Sequence, residues 1–130
     1  MKFLMMIKSS EDRKILPKEL AEAIGRLSAD PSAAVVLASG ALAGTAAGAR
    51  VRISEGQLTL TDGPFSETKE VVGGFGILEY ASKEEAWKGA REFMELYRKH
   101  WPGWEGEMEI RPILTAEDYA REAEGKSRQE

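Results

Sequence analysis

Apolar residues fall along this chain in two rhythms, one of strands and one of helices. From Lys2 to Ser9 the run Phe3-Leu4-Met5-Met6-Ile7 is continuous rather than alternating, which predicts a strand covered on both faces. Leu16, Leu20, Ala23, Ile24 and Leu27 recur at helical spacing around Pro17, a residue suited to a helix N-terminus. Asp30-Pro31-Ser32 interrupts that helix, and a second helical piece is expected through Val35, Val36 and Leu37 to Gly40. Val51 and Ile53 then alternate with Arg50 and Arg52, and Leu58 and Leu60 alternate with Gln57 and Thr59. Between them lies the two-residue turn Glu55-Gly56, so Arg50 to Thr61 reads as a hairpin.

Phe75 to Tyr80 is another strand, entered through the pair Gly73-Gly74. Ser82, with Glu85 three residues on, has the pattern of a capping box. Ala86, Ala90, Phe93 and Tyr97 form the inner stripe of the helix it opens, flanked by Trp87 and Met94. That helix should fade near His100, before Pro102-Gly103. Met108 and Ile110 alternate with Glu107, Glu109 and Arg111 in a last, half-buried strand. Thr115 begins a short helix through Tyr119 to about Glu124, and Gly125 to Glu130 reads as a frayed tail. One domain over residues 1–114 is expected, with 115–130 as a C-terminal helix and tail.

This order predicts an α+β domain with helices on one face of an antiparallel sheet. Two helices cover one face, yet the first strand and the Phe75-Ile77-Leu78 strand are apolar on both. The second face calls for a partner, and a homodimer is the expected solution.

Composition narrows the field by exclusion. The chain has 130 residues, 42% hydrophobic and 31% charged, as in an ordinary globular domain. A net charge of −4 argues against nucleic acid, whose phosphates demand a basic surface. The chain has no cysteine, which removes thiolate nucleophiles and Cys-ligated zinc and fits a cytoplasmic location. Five apolar residues between Lys2 and Lys8 are too few for a signal peptide, and the Ala/Gly stretch from Ala33 to Ala49 is too weakly apolar to span a membrane. No phosphate-binding glycine loop or nucleophile elbow is present, and nothing calls for a metal or a cofactor.

The chemistry gathers instead around Thr61-Asp62-Gly63-Pro64-Phe65-Ser66-Glu67-Thr68-Lys69-Glu70, a turn between apolar strands. Pro64 fixes its own φ and biases Gly63 away from helix, and Asp62 is placed to accept backbone N–H groups of the turn. With the opening Met1-Lys2-Phe3-Leu4-Met5-Met6-Ile7-Lys8, the segment Gly48-Ala49-Arg50-Val51-Arg52 and the closing Glu107-Met108-Glu109-Ile110-Arg111, this run resembles the YCII-related, DGPF-domain family. The stretch from Phe93 to Gly106, with Trp101-Pro102-Gly103-Trp104, is similar to one bacterial branch of it. The resemblance implies a ferredoxin-like plait assembled as a dimeric α+β barrel. For some relatives it implies lyase-type dehalogenation of hydroxylated aromatic rings by a His-Asp pair, and for some DGPF proteins an association with sigma factors. The chain departs from the wider family in having no histidine near its first helix.

His100 is the sole histidine, and it reads either as a general acid or base beside an aromatic wall or as a helix C-terminal cation. Asp62 reads as its catalytic partner or as a turn former. Gly63, Phe65, Glu67, Trp101 and Arg111 complete the candidate ligand site, Arg111 serving equally well at a dimer seam. Two functions follow. One is a small-molecule enzyme acting by acid/base chemistry on a hydroxylated or enolisable compound, its pocket near the Asp62-Gly63-Pro64-Phe65 turn and either between helices and sheet or at the dimer seam. The other is a non-catalytic ligand-sensing or regulatory module linked to sigma-factor signalling.

Overall fold

The computed structural model describes residues 1–11, 15–30, 32–65 and 70–129, with side chains through 125. Its elements run β1 (Lys2–Ser9), α1 (Lys18–Ala29), β2 (Val35–Ala41), a 3₁₀ turn (Thr45–Ala47), β3 (Ala49–Ser54), β4 (Gln57–Asp62), β5 (Val71–Glu79), α2 (Lys83–His100), β6 (Gly106–Pro112) and α3 (Ala116–Gln129). Strands β2, β5, β1 and β6 lie in that order in one sheet, every neighbouring pair antiparallel. Setting the hairpin aside, this is the strand order of a ferredoxin-like α+β fold, with β3 and β4 inserted between its second and third strands.

The register sorts the sheet residues into two faces. Phe3, Met5 and Ile7 of β1 stand opposite Leu78, Gly76 and Gly74 of β5, and opposite Pro112, Ile110 and Met108 of β6. This face carries the helices: Phe3 is wholly buried and meets the rings of Tyr80 and Trp87 edge-on at 6.0 and 5.9 Å. Leu20 and Ala23 of α1 and Ala86 and Tyr97 of α2 close the core from above. Leu4 and Met6 point the other way, alongside Ile77 and Phe75, and this second face is half-buried rather than covered. The continuous apolar run of β1 therefore presents apolar side chains to both faces, while the cover expected for both is found within one chain only on the helix side.

Three sequence expectations need correction. The segment expected to be helical through Val35 to Gly40 is strand β2, because its β-branched residues pair with the free edge of β5. Gly73 and Gly74 lie within β5 rather than before it. Gly73 is the extra residue of a bulge opposite Ile7 and Lys8, and its carbonyl accepts the Leu42 N–H at 2.9 Å. The terminal helix continues past Gly125 to Gln129.

The local signals elsewhere hold. Ser82 caps α2, its hydroxyl accepting the Glu85 N–H at 3.2 Å. Glu55 and Gly56 both take positive φ, 52° and 78°, the primed turn that suits a two-residue hairpin. Among the described residues no helix is long and apolar enough to cross a membrane.

Candidate functional site

A large cavity between sheet and helices follows from two glycines. Gly74 and Gly76 fall on the helix-bearing face of β5, where they leave the sheet bare between Met5 and Ile7 of β1 and Ser39 and Ala41 of β2. The missing side chains leave a cavity of about 1310 Å³ between sheet and helices. Ile24 and Leu27 of α1 wall it on one side, Phe93 and Tyr97 of α2 on another, and Val36 borders it along β2. A side chain added at Gly74 would meet little beyond the Gly40 carbonyl at 3.5 Å, so it is the cavity that occupies its place.

Polar groups gather at the α2 end. The Tyr80 ring lies against the α2 backbone at Gly89, where a Cβ would overlap its hydroxyl and stand 2.8 Å from Cζ. Partial burial, with the Glu92 carboxylate adding to it, raises the Tyr80 pKa above its ordinary 10.0. The phenol therefore stays protonated, a neutral donor and acceptor beside an apolar hollow. Glu85, Lys88 and Glu92 border the same end.

The residues singled out from the sequence are dispersed. Asp62 ends β4, pairs with Ala49 across the hairpin and is exposed. The N–H groups of its turn go elsewhere: Gly63 donates to the Gly48 carbonyl at 2.9 Å and Phe65 to the Thr45 hydroxyl at 3.3 Å. For these two described N–H groups the acceptors are Gly48 and Thr45 rather than Asp62. Thr45 is itself held by Glu11, whose carboxylate accepts both its N–H and its hydroxyl at 2.5 Å. The Arg50 guanidinium lies 4.0 Å from the centre of the Phe65 ring, a cation–π contact that fixes the ring over the turn.

His100 closes α2 with its Nδ1 3.9 Å from Glu19 at the start of α1. It does not line the cavity, and no hydrogen bond or ion pair joins it to Asp62. Trp101 and Trp104 fold back on Tyr97, at 6.2 and 4.8 Å between ring centres, and so extend the core beyond the helix end. Arg111 is exposed on the sheet face away from the helices and faces Glu109 at 3.9 Å. Glu67 lies outside the described residues. A smaller hollow of about 330 Å³ beside the turn is lined by Phe65, Leu42, Thr45 and Val72. Of the candidates among the described residues, Phe65 alone lines either of these two hollows. Among the described residues no group of histidine and acidic side chains is arranged to hold a metal.

A sequence model of the YCII-related domain matches residues 1–97, from β1 through most of α2. The chain belongs to the YCII-related family. Over 69 residues it is 38% identical to an uncharacterised protein of Rhizobium meliloti (strain 1021), which covers 53% of this chain and 52% of the relative. The chain thus matches about half the length of that curated relative.

In this YCII-related protein the sequence reading expects a pocket between helices and sheet but names as site residues none of those that line the larger cavity, and it misses the Tyr80–Gly89 contact. One signal was available: Gly74-Phe75-Gly76 places glycines on alternate positions of an apolar strand, so one face of that strand has no side chains. The approach of Tyr80 to Gly89 joins the end of a strand to the middle of a helix, and no local pattern announces it.

Proposed function

We propose that this protein binds a small, largely apolar molecule in the glycine-floored cavity between the sheet and its two helices. The observation that carries this reading is the pairing of Gly74 and Gly76 with apolar walls, a concave, mainly apolar site with a minority of polar groups in its lining. Tyr80 and Glu92 would orient a hydroxyl or amine on the ligand, while Phe93, Ile24 and Leu27 take its apolar body.

Ligand sensing fits this arrangement better than turnover, because no histidine lines the cavity and its charged groups sit at the rim. On this reading any coupling to a regulatory partner, a sigma factor included, runs through ligand occupancy. Acid/base chemistry by Asp62 and His100 would instead require two copies to bring them together, since within one chain His100 faces Glu19. Homodimerisation is part of the proposal, supported by the half-buried apolar stripe of Leu4, Met6, Phe75 and Ile77.

The test is Gly74→Val. It adds a β-favouring side chain where the cavity lies, so the protein should keep its thermal stability and lose its affinity for an apolar dye such as anilinonaphthalene sulfonate. Unchanged dye binding in a folded Gly74→Val protein would remove the cavity from consideration.

A further inference from the structure

The β3–β4 hairpin is an anomaly in energetic terms. Val51 stands opposite Leu60, and Ile53 opposite Leu58, so all four side chains project from one face of the ribbon. They are 65–73% exposed. The two strands pair with each other and form no part of the main sheet. An isolated two-stranded ribbon is marginally stable in water and needs a further strand or a packing surface. Four adjacent aliphatic side chains on one face mark a surface that is normally covered.

A matching surface exists on the same chain. β2 is an edge strand of the main sheet, and its outer backbone edge is open to a further strand. Ile15, Leu16, Val35, Val36 and Leu42 line the cavity along this side and are 37–93% exposed. At about 1310 Å³ the cavity exceeds the roughly 300–1,000 Å³ of ordinary small-molecule sites, as expected of a site that lacks one wall.

We infer that the β3–β4 hairpin of a second copy docks along β2 and closes the cavity with Val51, Ile53, Leu58 and Leu60. This rests on the cavity being the binding site, and it makes that site incomplete in a single chain. The exchange is reciprocal, each copy giving one hairpin and receiving one, as a two-fold interface requires. Nine aliphatic side chains, four on the hairpin and five on the receiving wall, are left 37–93% exposed in each copy, apolar surface of the kind that a standard interface of ~800 Å² per partner covers. Strand addition at β2 also supplies backbone hydrogen bonds, which fix the register that apolar contact alone leaves loose. The ligand would then be held by one chain's helices and sheet and by the other chain's hairpin.

The absence of cysteine makes the test clean. Chains carrying Leu58→Cys are mixed with chains carrying Val36→Cys and treated with a short bis-maleimide. A covalent heterodimer that forms in the mixture, and only weakly in either variant alone, is the expected result. Absence of that product overturns the inference. So does a Val36→Cys/Leu58→Cys double variant that links within one chain at high dilution, which would mean that the hairpin folds onto its own β2. A second measurement uses anilinonaphthalene sulfonate with Ile53→Lys/Leu58→Lys, whose affinity should fall at least tenfold; unchanged affinity overturns the closure. Failure of the wild type to bind the dye at all would instead count against the cavity reading, and the cross-link would still decide the docking.

Discussion

Gly63 lies so close to Thr45 that a side chain on it would stand 2.6 Å from the Thr45 carbonyl carbon and overlap its oxygen. Glycine in the Asp62-Gly63-Pro64-Phe65 run is thus a steric requirement, set by a 3₁₀ turn far away in sequence. The same contact explains the order of the turn: Thr45 receives the Phe65 N–H, Gly48 receives the Gly63 N–H, and Glu11 holds Thr45 in place. Three segments meet where the sequence shows a tetrapeptide.

Gly63→Ala should therefore be costly. Since the obstacle is backbone, which cannot swing aside, a loss of about 1–3 kcal/mol is expected, in the range of overpacking substitutions. Urea denaturation measures it. Gly56→Ala serves as a control for positive φ without crowding, since nothing lies within 4 Å of a Cβ there.

Asp62→Asn should leave the fold untouched. The side chain is exposed and among the described residues has no hydrogen-bond or ion-pair partner, so a change within about 0.5 kcal/mol is expected. A larger loss of stability would restore the turn-forming role. A stable variant with altered ligand binding would show that Asp62 reaches the ligand in an assembly.

How far the sequence was legible follows the range of the forces involved. Elements written in local terms were readable: the Ser82 cap, the Glu55-Gly56 turn and the helical stripe from Ala86 to Tyr97. β2 was misread because Val35, Val36 and Leu37 followed by Ala-Ser-Gly carry no decisive period, and its strand state comes from pairing with β5. The α+β class and the two-faced β1 were legible because they depend on apolar content alone. The lining of the cavity was not. It arises where Gly74 and Gly76 meet helices at distant positions in the chain, and residues conspicuous in chemistry, such as His100, turned out to lie elsewhere.

The contact between Tyr80 and Gly89 predicts non-additive behaviour. Gly89→Ala would gain about 1 kcal/mol of helix propensity in isolation, but the added methyl overlaps the phenol. The single variant should be destabilised. Truncating the ring, as in Tyr80→Ala, should remove that penalty, so the double variant is more stable than the sum of the singles by about 0.5–3 kcal/mol. A double-mutant cycle by chemical denaturation measures this coupling; additivity would mean that the ring moves away freely.

The same phenol gives a pH dependence with a definite sign. Burial, reinforced by Glu92, raises the pKa of Tyr80 above 10.0, so the folded protein holds this proton more tightly than the unfolded chain does. The contribution to stability is fully present below the unfolded value. It is lost as pH rises through the folded value, because ionisation then places a phenolate beside a carboxylate in a partly desolvated site. As pH rises above about 10, the ordinary tyrosine value, the wild-type denaturation midpoint should fall more steeply than that of Tyr80→Phe, which has no proton to lose. Glu92→Gln should give an intermediate slope, since it removes the second cause of the shift and leaves the first. Equal slopes in wild type and Tyr80→Phe would mean that the phenol is solvated in the folded protein, and Tyr80 would then lose its place as the polar anchor of the cavity.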